Sequence, residues 1–348
     1  MKIIHILQSS YFSGAENVVC QIIKMFKSDL QYSMTYVSRG GEIESILKQM
    51  DIPFYKLENF DLKSIHKAIN ILKPDIIHVH DISASVLVSI ASLGKPCKII
   101  SHVHVNNSDM SKINIKTLCY ALSTIRYKHI FWVSQSCFDG FVLKKLVNRK
   151  STVLPNVIDK SLIIKKANSD NKEYNYDVAY VGRLTEQKDP ARLILVLDKL
   201  ISKYQNIKIV IVGKGNLEEA TKKLVIKHGL EKNIKFTGFM ENPLKLLKDS
   251  KVMIMTSKYE GLPMTVLEAM ALGVPIVSTP VDGLKDVVIQ GVNGYLENSD
   301  EMLVKRLYDI LCDSNLQQKL SLGAKHRFDE LNNVKEYKLN LKKFYREK

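Results

Sequence analysis

Short apolar runs rich in β-branched residues alternate with stretches of helical pattern along most of the 348-residue chain. The runs "KIIHIL", "SMTYVS", "DIIHVH", "KIISHVHV", "HIFWVS" and "STVLPN" fill the first half. Such alternation is the rhythm of a parallel sheet with crossover helices. It lapses in the polar stretch "KKANSDNKEYNYD" and restarts with "VAYVGR", "IKIVIVG", "IKFTGF", "KVMIMTS", "PIVSTP" and "GYLE". The pattern predicts an α/β protein of two doubly wound domains, residues 1–165 and 177–333, joined across 165–177. Ligands of such domains bind at the carboxyl ends of the strands, so a cleft between the two is the expected site. The tail "NVKEYKLNLKKFYREK" sets Val334, Tyr337, Leu341 and Phe344 on one helical face among lysines, which predicts a helix over 334–348. Packing back on the first domain is its commoner use, and lying on a membrane its alternative.

Composition narrows the class. Apolar content of 45% and charged content of 25% are those of a globular protein. The first ten residues, "MKIIHILQSS", turn polar early, and no apolar run reaches the roughly 18 residues of a membrane span. Five scattered cysteines without a C-x-x-C pair fit a reduced compartment, so a cytoplasmic location is expected. The net charge of +15 asks for an anionic partner. It is dispersed, with no basic stripe interleaved with aromatics, so nucleic acid is not the expected one.

The stretch "KYEGLPMTVLEAMALGVPIVST" sets Glu260 and Glu268 with seven residues between them and a helix start in the gap. Pro263 suits a first helical turn, and Gly273 and Pro275 end the helix. Amides near Met264 and Thr265 are then left unpaired at the positive end of the helix, which makes an anion site. The same residues read equally well as a core helix with a solvated Glu268.

Other strand ends carry similar chemistry. "VAYVGRLTEQKDP" offers Arg183 and Lys188, a planar fork and a compact charge suited to a diphosphate. "IVIVGKGNLEE" places Gly213 and Gly215 after a strand, but a dinucleotide fingerprint needs a third glycine where Glu218 stands. Gly14, between the first strand and first helix, allows close approach to a phosphate. The pairs His78/His80 and His102/His104, with Asp81, raise a metal-dependent hydrolase as an alternative, since imidazole and carboxylate hold zinc and activate water. No third cluster with ligand spacing supports it.

Together these features resemble the retaining family-4 glycosyltransferases of the GT-B fold, over nearly the whole chain. "EGLPMTVLEAMALGVPIVST" is similar to that family's donor-site motif over its full length. "SGAENVV", "IIHVHD", "SHVH", "WVSQS", "VLPNVID", "YVGRLTEQKD", "IVGKG", "FTGF" and "VDGLKDVVIQGVNGYL" follow in the family's order. The resemblance implies two Rossmann-like domains facing a central cleft, the first taking the acceptor and the second the donor. It implies that Glu268 holds the ribose hydroxyls and Glu260 those of the donor sugar. The backbone of Gly261, Leu262, Pro263, Met264 and Thr265 then meets sugar and diphosphate. Arg183 and Lys188 neutralise the diphosphate, Gly14 and Gly213 bring backbone to the donor, His104 lies near the donor sugar, and Gly238 and Phe239 hold the base.

The implied activity is retaining transfer of a hexosyl or N-acetylhexosaminyl group from a nucleotide-diphosphate sugar, expected to be UDP-linked. His104, Glu260, Arg183 and Lys188 form the implied catalytic set, with no metal and no cofactor. The implied acceptor is a glycan or a polyprenyl-diphosphate-linked saccharide of a bacterial capsule, exopolysaccharide or other envelope polymer. A sugar-nucleotide epimerase of the same fold is a further alternative. Two departures are Ser13, where a second glycine is frequent, and Val157, where a glycine is common. An anionic membrane surface is a further expected partner. "MSKINIKTLCYALSTIRYK" sets Lys112, Lys116, Arg126 and Lys128 around Ile113, Leu118 and Leu122, and "FDGFVLKKLVNRK" carries Lys144, Lys145, Arg149 and Lys150.

Overall fold

A computed structural model describes residues 1–105 and 109–346. The chain divides into two units, one of Met1–Asn156 with the C-terminal stretch from Val334, the other Val157–Asn333. The first holds seven strands: β1 (Lys2–Ile6), β2 (Ser33–Arg39), β3 (Phe54–Leu57), β4 (Ile76–His80), β5 (Lys98–Val103), β6 (Tyr127–Trp132) and β7 (Ser151–Val153), ordered β3-β2-β1-β4-β5-β6-β7. The second holds β8 (Val178–Val181), β9 (Ile209–Val212), β10 (Ile234–Gly238), β11 (Val252–Met255), β12 (Ile276–Ser278) and β13 (Gly294–Leu296), ordered β10-β9-β8-β11-β12-β13. Every strand pairing among the described residues is parallel. Helices connect successive strands and cover both faces, so β4, β8, β9 and β11 are buried at every residue.

Each sheet reverses its strand order once, between β1 and β4 in the first unit and between β8 and β11 in the second. At such a point the connections leave in opposite directions and open a crevice at the strands' carboxyl ends. β3 is absent from the predicted runs. It is an edge strand of "FYKL" with only Leu57 buried, so it carries no continuous apolar signal.

The unit boundary falls between Asn156 and Val157, ahead of the expected linker. Residues 165–177 lie inside the second unit, because the helix Lys160–Asn168 packs against the helices Leu244–Lys248 and Met264–Leu272. Asn332 brackets Ile158 there, its Oδ1 accepting from the Ile158 N–H at 2.8 Å and its Nδ2 donating to the Ile158 carbonyl at 2.8 Å. The polar composition of 169–177 marks a surface loop of that unit.

The C-terminal helix, Val334–Arg346, buries Tyr337, Leu341 and Tyr345 in the first unit. Phe344 stacks on His129 with ring centroids 3.8 Å apart, and Lys342 pairs with Asp29 at 2.5 Å. Residues 347 and 348 of the expected helix lie outside the described residues. Among the described residues no helix is long and apolar enough to cross a membrane.

Candidate functional site

The second unit gathers its chemistry at the β8/β11 reversal. After β8 the chain turns through Gly182 and Arg183 into a short turn, Glu186–Lys188; after β11 it runs through Thr256 to Glu260. The two loops are stitched together. The Lys258 N–H donates to the Gln187 carbonyl at 2.8 Å, and Thr256 Oγ1 donates to the carbonyls of Lys188 and Asp189, each at 3.1 Å. Lys188 Nζ donates to Glu260 Oε1 at 2.5 Å, in a pair whose side chains are only 12% and 5% exposed. Gln187 Nε2 reaches the Tyr259 carbonyl at 3.1 Å and Glu260 Oε2 at 3.5 Å. Lys188 is therefore ion-paired with Glu260, not standing beside Arg183 as half of a free clamp. The Arg183 guanidinium is exposed and unpartnered among the described residues.

The helix Met264–Leu272 begins where Pro263, at φ −63° and ψ 130°, still holds extended backbone. Pro263 thus caps the helix and does not enter its first turn. Its carbonyl accepts from Val266 at 3.1 Å, whereas the amides of Met264 and Thr265 carry no bond among the described residues. That is the open helix start the sequence pointed to. Gly273 ends the helix at φ +77°, a left-handed C-cap. Glu268 is partly exposed on this helix and has no hydrogen-bond partner among the described residues. Desolvation by its apolar surroundings pushes its carboxyl up to about 7, against a smaller pull from Lys166.

The glycines of "IVGKG" have a packing role. A Cβ on Gly213, at φ +133°, would stand 2.0 Å from the Gly182 carbonyl oxygen, and one on Gly215 would stand 2.1 Å from that of Leu184. Their smallness lets the β8 and β9 loops touch, with Leu184 N–H donating to the Lys214 carbonyl at 3.0 Å. Gly238 turns at φ +67°, and Phe239 beside it is 56% exposed, an unusual display for a large aromatic ring at a strand end.

In the first unit, Gly14 opens the helix Gly14–Phe26 and is exposed. Ser13 caps it through the buried Glu16, its N–H donating to Glu16 Oε2 at 3.1 Å and its hydroxyl to the same oxygen at 2.5 Å. That reciprocal bond accounts for serine at this position. His104 is 6% exposed, its Nε2 lies 2.8 Å from His80 Nδ1, and burial lowers it to about 3, so the ring is neutral near pH 7. The histidine pairs converge as expected from their strands, but Asp81 joins no ligand group among the described residues. His5 from β1 enters in its place, giving the groups His5/His78/His80 and His80/His102/His104. A hydrolytic metal centre needs an open position for water. These five rings are 0–6% exposed.

The two basic segments form one surface of this unit. Lys150 Nζ donates to the carbonyls of Thr124, Ile125 and Tyr127 at 3.0, 3.3 and 2.9 Å, and the Val142 N–H donates to the Met110 carbonyl at 2.9 Å. Lys150 is thus engaged internally, Arg126 donates to the Ser92 carbonyl, and Lys144 pairs with Asp139. Lys112, Lys145 and Arg149 remain exposed beside Ile113, Ile115, Leu122, Ile125 and Leu146, which are 67 to 81% exposed.

Sequence comparison places the chain in a family. The family model described as "Glycosyl transferases group 1" matches residues 161–327, and that described as "Glycosyltransferase Family 4" matches residues 12–162. The chain belongs to the family 4 glycosyltransferases. A similar member is the capsular polysaccharide biosynthesis glycosyltransferase CapH of Staphylococcus aureus, 27% identical over 286 residues, 77% of this chain and 78% of that protein. Another is a Campylobacter jejuni α-1,4-N-acetyl-D-galactosaminyltransferase, named for an undecaprenol-diphosphate-linked saccharide, 32% identical over 170 residues, 47% of each chain. The chain spans less than two thirds of the length of several curated relatives it matches. Anabaena HepE, solved in complex with UDP-glucose, shares the GT-B fold at a TM-score of 0.85 and 20% identity, covering 99% of this chain and 98% of that one.

Three residues beyond the Glu260–Thr279 stretch the structure adds a residue that pattern reading missed. Asp282, after β12, adopts φ +24° and accepts the Glu260 backbone N–H, while desolvation raises its carboxyl. Its only trace in the sequence is a D-G pair after a strand, which signals any turn. His5 escaped notice because a single histidine in "KIIHIL" has no spacing partner; β1 pairing with β4 sets it opposite His78.

Proposed function

We propose that this glycosyltransferase moves a sugar, with retention, from a UDP-linked donor to a glycan or polyprenyl-diphosphate-linked saccharide in bacterial envelope polysaccharide synthesis. The observation that carries the reading is the asymmetry of the two glutamates around an open helix start. Glu260 is fixed by Lys188, Gln187 and its own amide, while among the described residues Glu268 and the amides of Met264 and Thr265 at the helix start have no partner. A donor would meet Glu268 with its ribose hydroxyls and Glu260 with its sugar hydroxyls. The helix start, Arg183 and Lys188 would face its diphosphate, and Phe239 offers a face on which the base can stack.

In the transfer step the bond from the anomeric carbon to the diphosphate oxygen breaks, and the acceptor oxygen attacks from the same face. Its proton passes to a diphosphate oxygen. The charge left on the diphosphate is held by Arg183, Lys188 and the helix dipole, without call on a metal at this site. In this reading His104 and Gly14 contact the donor sugar and diphosphate. The exposed apolar and basic surface of the first unit serves a lipid-linked acceptor by resting on an anionic leaflet.

Nucleotide sugars screened for thermal stabilisation, followed by hydrolysis of the best binder, test the proposal. A UDP-sugar should stabilise most, and turnover should not rise with added Mg2+ or Mn2+. Arg183→Ala should nearly abolish turnover while leaving the melting temperature unchanged, because its guanidinium holds nothing in the fold. A preference for a nicotinamide dinucleotide, or full turnover in Arg183→Ala, would overturn it.

A further inference from the structure

The first unit carries a cleft to which the donor chemistry gives no role. It opens at the carboxyl ends of β1, β2 and β3, has a volume of about 660 Å3, and is lined by Ser10, Arg39, Glu44, Lys56 and Asn59 around the Gly40–Gly41 turn. That volume is in the range of small-molecule sites. The register of β2 and β3 sets Ser38 beside Lys56 and Arg39 beside Leu57, so neighbouring strands deliver both cations to the same cleft.

Two glycines give this site its shape. A Cβ on Gly40 would stand 2.2 Å from Glu44 Oε1 and 2.3 Å from Lys56 Cε, so the ion pair occupies the space that a side chain there would fill. Gly41, at φ +149°, lies against Ser10, where a Cβ would come within 3.0 Å of the serine Cβ. Glu44 Oε1 accepts from Lys56 Nζ and from the Gly41 N–H, each at 2.9 Å. The Lys56 ammonium, and after it the Gly41 amide, holds the Glu44 carboxyl below the ordinary carboxylate range. Glu44 Oε2 has no partner among the described residues, and neither do Ser10 Oγ, the Asn59 carboxamide and the exposed Arg39 guanidinium. Glu58, also on the lining, is paired with Lys67 at 2.7 Å. Of the charged groups lining the cleft, Arg39 is thus the one that nothing described neutralises.

We propose that this cleft is the subsite for an acceptor sugar that carries a carboxylate, a uronic acid residue, an assignment that rests on the transfer reaction proposed above. Charge and hydrogen-bond type carry it. A guanidinium is a planar fork that meets a carboxylate with two parallel N–H···O bonds. With Lys56 spent on Glu44, the single uncompensated positive charge matches a monoanion, and the Glu44 carboxylate opposes the second charge of a phosphate monoester. Sugar hydroxyls both donate and accept, and the cleft offers both roles: Glu44 Oε2 accepts, while Ser10 and Asn59 do either. Ser10 lies in the loop that runs from β1 to Gly14 at the start of the next helix. A sugar in the cleft therefore borders the backbone assigned to the donor.

The test uses the full chain, with methyl glucuronide, methyl glucoside and glucose 6-phosphate titrated as probes by ligand-observed NMR. The glucuronide should bind at least about 10-fold more tightly than the glucoside, and Arg39→Gln should weaken it by about 10- to 100-fold, toward the glucoside. Gly40→Ala should weaken both sugars, because its Cβ displaces the Glu44–Lys56 pair, and should keep the melting temperature, because the groups it meets are flexible side-chain ends. UDP affinity should be the same in every variant. Equal affinity for glucuronide and glucoside, no binding of either, or an unchanged glucuronide affinity in Arg39→Gln overturns the inference. Tighter binding of glucose 6-phosphate than of the glucuronide overturns the carboxylate in favour of a phosphorylated sugar. Failure of the donor reading looks different: no UDP-sugar would bind, while glucuronide binding that depends on Arg39 would persist.

Discussion

Removing the Glu268 carboxylate isolates the contact on which the donor reading depends. Among the described residues that carboxyl has no partner, and desolvation raises it to about 7, so it begins with an unmet demand for hydrogen bonds. A ribose diol meeting it gains a charge-assisted bond of about 1.5–3 kcal/mol, and Glu268→Ala should weaken UDP binding about 10- to 150-fold. The raised pKa adds a signature that simple loss of a contact lacks. If only the ionised form accepts from the ribose, the competent fraction falls from about 0.9 at pH 8 to about 0.1 at pH 6, and affinity falls roughly ninefold. Calorimetric titration of UDP at several pH values reads this directly, with Glu268→Gln subtracting any titration of the ligand itself. Stability supplies an independent check. A carboxyl raised from 4.5 to about 7 binds a proton in the folded state that the unfolded chain has released, so stability should fall as pH rises through that window. Glu268→Gln should flatten the fall. Equal pH dependence of UDP affinity in wild type and Glu268→Gln, or an unchanged affinity in Glu268→Ala, would refute the role.

Glu260→Ala should cost about 3–5 kcal/mol, because Lys188 would be left charged in a site where its side chain is 12% exposed; thermal unfolding should show a loss of roughly 10 °C, and Lys188→Met in the same chain should recover part of it. Gly213→Ala should destabilise by at least about 2 kcal/mol, since its Cβ would meet the Gly182 carbonyl, whereas Gly229→Ala, whose Cβ meets nothing, should cost only the strain of its positive φ, about 1 kcal/mol, by urea denaturation. Co-sedimentation with anionic vesicles should fall with salt and fall again when Lys112, Lys145 and Arg149 become glutamine. These are worth about 1 kcal/mol each near a charged leaflet, and Lys150→Gln should act through stability, not charge, because it caps three carbonyls.

Twelve of the thirteen strands described stand on apolar runs visible in the chain, and for the nine interior ones the reason is that a strand covered on both faces of a parallel sheet is apolar along most of its length. The edge strands β3, β7, β10 and β13 carry no such constraint, and of these β3, whose "FYKL" buries only Leu57, is the one without a visible run. The helix around Glu268 was equally legible, since Pro263, Gly273 and Pro275 act through local backbone geometry. Periodicity also placed Tyr337 and Leu341 on the inner face of the last helix, yet not Tyr345, whose partner His78 is 267 residues away. What neighbours in sequence impose on one another was therefore readable: strand and helix identity, the open helix start, and the spacing of Glu260 and Glu268. Tertiary structure alone decided which distant groups meet. Lys188 turns to Glu260 and not to Arg183, Asp282 receives the Glu260 amide, Gly213 and Gly215 yield room to another loop, and His5 joins four histidines from two other strands. Each of these depends on strand order and register, which bring together residues whose separation along the chain leaves no periodic trace.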